Sequence, residues 1–151
     1  TTNKKVDKTI EHLVRKILEK YAKNISLISK TEKNLLDPAF DARESMLFEA
    51  QSLLTGKNLA KQYGFSSFGM FKYNFNQWSK LQKTKFYYAL NGRGKIGIAE
   101  QYKSIKLSDS VILVPLGHIE EFRSFLETWK IDYKYIPLII PTRVARKSIL
   151  G

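Results

Sequence analysis

Near the start of the chain, apolar residues recur at steps of three and four. Ile10, Leu13, Val14, Ile17, Leu18 and Tyr21 share one face of a helix predicted from Thr9 to Ala22. Thr9 is its expected N-cap, and the opposite face is mostly basic. The alternating run Ile25–Lys30 predicts a short strand. Residues 41–54 fit two patterns. As a helix they open on an Asp41-Ala-Arg-Glu44 capping box and bury Met46, Leu47, Ala50, Leu53 and Leu54. As a β-hairpin they turn near Arg43 and make Met46–Gln51 a strand. The Leu, Met, Ala, Glu and Gln content and the cap favour the helix.

Thr55-Gly56 breaks that element, and Lys57–Tyr63 reads as a second helix ended by Gly64. Ser66 or Ser67 caps a third helix, whose stripe is Phe68, Phe71, Phe75 and Trp78. Further on, Phe86–Leu90 and Lys95–Ala99 flank Asn91-Gly-Arg-Gly94, which predicts a β-hairpin. The last third alternates Val111–Leu116 as a buried strand, Ile119–Trp129 as an amphipathic helix and Tyr133–Ile140 as a strand. A β-α-β unit of this length has parallel strands with the helix across one face. These elements define an α+β protein: an N-terminal helix, a helix-turn-helix-like centre, a β-hairpin and a C-terminal β-α-β unit around one core, as a single domain over residues 1–151.

Composition removes several classes of chemistry. With 151 residues and 43% hydrophobic content the chain can bury a core without cross-links, and the absence of cysteine excludes disulfides, thiolate metal sites and thiol nucleophiles. Val111–Leu116 and Ile136–Ile140 are too short to span a bilayer, so a soluble, cytoplasmic protein with no membrane partner is expected. The formal charge of +12 points to a polyanionic partner, and its distribution is uneven. Residues 57–106 hold ten basic residues against Glu100 alone, a net of +9, whereas residues 107–142 hold three against five, a net of −2. A solvated surface mixes the signs more evenly, so this stretch reads as a phosphate-binding face.

Leu59-Ala-Lys-Gln-Tyr-Gly-Phe-Ser-Ser67, followed by Phe71 and Phe75, has helix-turn-helix spacing. Ala60 lets two helices approach, Gly64 supplies a turn with φ > 0, and Leu59, Phe65, Phe71 and Phe75 fill the wedge. At Ala60, Gly64-Phe65-Ser66, Phe71 and Phe75 the segment resembles the AraC-type helix-turn-helix, over residues 57–78 only. That resemblance implies a second helix in the major groove of double-stranded DNA, with Ser66, Ser67, Lys72, Tyr73, Asn76 and Gln77 toward the bases and Lys57, Lys61 and Lys80 toward phosphates. Lys83, Lys85, Arg93 and Lys95 extend the basic surface, with Arg93 on the glycine-flanked hairpin tip. Because one short motif reads few base pairs, a homodimer or larger homo-oligomer is expected. Tyrosines and phenylalanines able to stack on unpaired bases keep single-stranded nucleic acid as a further ligand.

The alternative is a metal-dependent DNA endonuclease. A hairpin over residues 35–51 places Asp37 across from Glu49, with Gln51 on the same face, where two carboxylates hold Mg²⁺ against a phosphate. This arrangement resembles the PD-(D/E)XK nucleases, restriction and homing endonucleases among them. The resemblance implies Asp37 and Glu49 as metal ligands, Glu11 as an added carboxylate, and Gln51 where the family has Lys, with Lys57 or Lys61 recruited to stabilise charge. The binding reading needs no cofactor. His12 and His118 lack a second ligand at metal-binding spacing and read as surface or capping residues. Glu120, Glu121 and Glu127 read as a solvated helix face, with Phe122, Phe125, Leu126 and Trp129 inward.

Overall fold

A computed structural model describes residues 7–21 and 24–145. The chain divides into two compact units, Thr1–Glu44 and Ser45–Gly151, and the division falls at the start of helix α3 (Arg43–Glu49).

The first unit contains α1 (Lys8–Leu18) and the short α2 (Glu32–Leu35). Asp7, not Thr9, caps α1: its Oδ1 accepts from the Thr9 N–H at 2.8 Å and the Ile10 N–H at 3.4 Å. The helix ends at Leu18, and Ala22 lies outside the described residues. No residue of α1 is buried, although its apolar stripe forms as predicted. Residues 25–30 are irregular and not a strand, because an alternating run still needs a partner ladder and none pairs with it.

Residues 43–49 form the favoured helix and not the hairpin. It buries Phe48 and stops before Leu53 and Leu54, which the longer predicted helix had buried. The short α4 (Leu59–Gln62) follows, capped by Asn58, and Gly64 takes φ 78° as the turn requires.

The predicted third helix is strand β1 (Phe65–Asn74). A spacing of four, as in Phe71 and Phe75, is compatible with periods of both 2 and 3.6, so it does not separate strand from helix. The spacing of three from Phe68 to Phe71 does. In a strand it sends the two rings to opposite faces, and they lie in separate core clusters. Gly69 is also a strand feature: a Cβ there would stand 2.8 Å from Tyr135 Cε2 and 3.1 Å from Ile119, so glycine lets both side chains approach the strand.

The predicted hairpin at Asn91-Gly92 is replaced by helix α5 (Lys80–Asn91) followed by α6 (Ile98–Gln101). Ser79 and Gln82 make a full capping box, Phe86 and Leu90 bury one face, and Gly92 (φ 89°) closes the helix by donating its N–H to Tyr88 O at 2.9 Å. Asn-Gly here ends a helix. The loop that follows is tight enough that a Cβ on Gly97 would lie 2.3 Å from the backbone of Asn91 and Gly92.

Next come β2 (Ile105–Ser108), β3 (Val111–Pro115), a 3₁₀ turn, α7 (Ile119–Thr128) and β4 (Asp132–Pro141). The sheet order is β2-β3-β1-β4 with every neighbouring pair antiparallel. β3 and β4 therefore run parallel, as predicted, but β1 lies between them. This β-α-β-β-α-β connectivity is the split, ferredoxin-like arrangement. Phe71 pairs with Ile112 on one side and Tyr135 on the other. Those residues share a face with Tyr73, Val114 and Ile139, and α5 and α7 cover it to make the main core. The opposite face has only a small cluster around Phe68, Ile105 and Leu113. The α+β class holds, with one four-stranded antiparallel sheet at its centre.

Candidate nucleic-acid interface

The basic stretch maps onto α4, β1, α5, α6, the start of β2 and their loops. Lys57, Lys61, Lys72, Lys80, Lys85, Arg93 and Lys95 are exposed and Lys83 is half-buried. Of the ten cations from Lys57 to Lys106, only Lys106 is ion-paired, to Asp109 at 3.1 Å, which leaves nine without an acidic partner among the described residues. Aromatic faces support several of them. Arg93 lies over Tyr88 at 4.6 Å, Lys106 over Tyr87 at 5.2 Å and Lys83 over Phe75 at 5.9 Å. Rings thus position these cations, and of the three only Lys106 shares its charge with a carboxylate.

A groove of about 600 Å³ opens where β1 leaves the sheet and β3 and β4 enter it. Lys72, Asn74, Asn76, Ser110, Asp132 and Lys134 contribute to its walls. Lys72 stands directly opposite Lys134 in the β1–β4 register, and the next pair on that face is Asn74 with Asp132. Like charges in cross-strand register destabilise a sheet, so an anion between the two ammonium groups offsets a cost the fold carries without it.

Several predicted contacts move. With residues 65–74 in a strand, no helix presents Ser66 through Gln77 to a major groove. Tyr73 is 2% exposed in the main core. Its hydroxyl has no hydrogen-bond partner, and burial, with Tyr87 and Asp109 nearby, raises its pKa above the ordinary tyrosine range. Ser67 is buried and donates to Asn58 Oδ1 at 3.5 Å, while Ser66 shares a 3.0 Å hydrogen bond with Thr142. Asn76 and Gln77 remain exposed in the turn after β1, and Gln77 takes φ 60°. The strand register adds Lys134 and Asn74, which sequence reasoning missed. Their only sequence signal is alternation within β4 and β1, and that does not reveal that the two strands are neighbours.

The hairpin that carried the endonuclease alternative is not formed. Residues 43–49 are helical, so Asp37 and Glu49 are not cross-strand partners. Asp37 Oδ1 accepts from the Ala39 N–H at 2.9 Å, Gln51 forms an isolated bridge with Asn58, and Glu11 pairs with Arg15 at 3.6 Å. Among the described residues no group of three or more His, Asp or Glu is placed to hold a metal. His118 stacks on Tyr102 at 4.8 Å, next to the start of α7, and His12 is exposed on α1. Glu120, Glu121 and Glu127 lie on the exposed face of α7, as read from the sequence.

Comparison of the chain with protein-family models, with curated proteins and with solved structures finds no match in any of the three. Among the described residues no helix is long and apolar enough to cross a membrane.

Proposed function

We propose that the protein binds nucleic acid, with duplex DNA as the favoured ligand, through the basic sector from Lys57 to Lys106 and the adjoining Lys72–Lys134 groove. The nine cations without acidic partners carry this reading. A protein that needed charge only for solubility would neutralise much of it locally; here the free ammonium groups match a phosphate backbone. Duplex is favoured over single strand because the open sheet face offers no exposed aromatic ring for stacking, its one phenylalanine, Phe68, being 6% exposed. With the reading helix absent, lysines hold phosphates and the exposed amides of Asn74, Asn76 and Gln77 are the groups left to meet base edges.

The test is the affinity for a labelled duplex measured by fluorescence anisotropy as salt is raised. Six to ten phosphate contacts give a fall of about 10³–10⁵ between roughly 50 and 200 mM salt. An affinity indifferent to salt, or equal affinity for polyglutamate, sinks the reading. Sedimentation with and without duplex, run beside it, tests the homodimer.

A further inference from the structure

The turn between α3 and α4 is stiff, and its tip is apolar. Gln51 and Asn58 form a bridge, the Ser52 N–H donates to Lys57 O at 2.9 Å, the Gly56 N–H to Ser52 O at 2.8 Å, and the Leu59 N–H to Ala50 O at 2.7 Å. Side chains tighten it further. The Thr55 N–H donates to Ser52 Oγ at 3.3 Å, and Gln62 Nε2 donates to Thr55 Oγ1 at 3.0 Å. Asn58 Nδ2 donates to Phe48 O at 2.9 Å, which ties the turn to a helix whose Phe48 sits in the main core. Leu53 and Leu54 stand at the tip with relative exposures of 101% and 97%. No other described large apolar side chain is as exposed. A hydrogen-bonded turn that holds two leucines in water, rather than letting them fold back, has them ready for a partner.

Charge selects the partner. From Ala50 to Ala99 the chain has no acidic residue, and Lys57 on the descending arm of the turn and Lys61 in α4 are exposed and unpaired. An apolar tip followed by exposed cations matches the combination that architectural proteins use to wedge apart a base step from the minor groove, the cations holding phosphates. We propose that Leu53 and Leu54 insert between stacked base pairs of duplex DNA and bend it, with Lys57 and Lys61 on the flanking phosphates. The inference rests on the nucleic-acid reading above and adds to it a deformation of the ligand.

The experiment uses the full chain and a duplex of about 30 base pairs, short against the stiffness of DNA. The duplex carries a donor and an acceptor at its ends and 2-aminopurine at central steps. Binding is followed by anisotropy, bending by energy transfer and unstacking by 2-aminopurine emission. The wild-type protein is expected to bend the duplex by about 20 to 90° and to brighten the reporter. Leu53→Ala with Leu54→Ala is expected to abolish both signals while retaining the salt-dependent binding that the lysines supply. Exposed positions tolerate this change, and an unaltered melting temperature checks it. Salt-dependent binding by the wild type to a duplex that stays straight and stacked overturns the wedge and leaves the nucleic-acid reading standing. No binding to any duplex at low salt overturns that reading itself. Leucine-dependent cosedimentation with vesicles of phosphatidylserine and phosphatidylcholine, with the duplex left straight, overturns the wedge in favour of a lipid surface.

Discussion

Helix α5 buries Phe86 and Leu90 and helix α7 buries Phe122 and Leu126, in each case a Phe and a Leu four residues apart against the same face of the sheet. Their outer faces have opposite character. α5 carries Lys80, Lys83 and Lys85 with no acid, whereas α7 carries Glu120, Glu121 and Glu127, and its Arg123 is paired with Glu120 at 3.5 Å and lies over Tyr135 at 4.9 Å. The two helices occupy equivalent places in the two interleaved β-α-β units, so the fold accepts either charge there. What packs is the Phe and Leu pair; what differs is left for a ligand to read.

Phe86→Ala and Phe122→Ala each remove a ring that is 0% exposed, and each is expected to cost about 3–5 kcal/mol in chemical denaturation. A much smaller loss for one would mean that the two helices do not share the packing load. Changing the outer faces gives the complementary result. Lys80→Gln, Lys83→Gln and Lys85→Gln together are expected to lower the salt slope of duplex binding by about 2–3, at about 0.9 per phosphate contact. The matching Glu→Gln triple on α7 is expected to leave the slope unchanged, and equal slopes for both triples would remove the functional distinction between the helices.

A smaller effect sharpens the contrast at the groove. Lys72→Gln is expected to stabilise the fold by about 0.2–1 kcal/mol, by relieving repulsion with Lys134, and to weaken duplex binding. Opposite signs mark a charge kept for a ligand, and a loss in both measurements would make Lys72 an ordinary structural residue. Smallest at neutral pH is Tyr73→Phe, which removes a buried hydroxyl with no partner and is expected to leave the melting temperature equal or slightly higher. Because the folded pKa of Tyr73 is raised, the unfolded chain loses this proton first as pH rises. The stability from keeping Tyr73 neutral is full below the ordinary tyrosine pKa of about 10 and falls as pH climbs above it. Melting curves at rising alkaline pH should show a steeper decline for the wild type than for the phenylalanine variant.

Two of the sequence misreadings run in opposite directions and have one reason. Phe71 and Phe75 read as a helical stripe and lie on or just past a strand; Phe86 and Leu90 read as part of a hairpin and lie on a helix. Both pairs are four apart, a spacing at which periods of 2 and 3.6 coincide. Local signals did exist: the Ser79–Gln82 capping box marks the start of α5, and Gly69 weighs against a helix interior. The candidate site was legible as a charge excess and not as a geometry. Lys57 and Lys61 stay exposed as read, whereas Tyr73 and Ser67 turned inward once their segment became a central strand.

The α+β class, the amphipathic helix near the N-terminus, the strand-helix-strand ending and the concentration of +9 between residues 57 and 106 are legible in the chain, because each is written in local periodicity or in counts. Tertiary pairing alone slots β1 between β3 and β4, which sets Lys72 beside Lys134. Strand pairing joins residues far apart in the chain through backbone hydrogen bonds that any side chain permits, so no local pattern records which strands become neighbours.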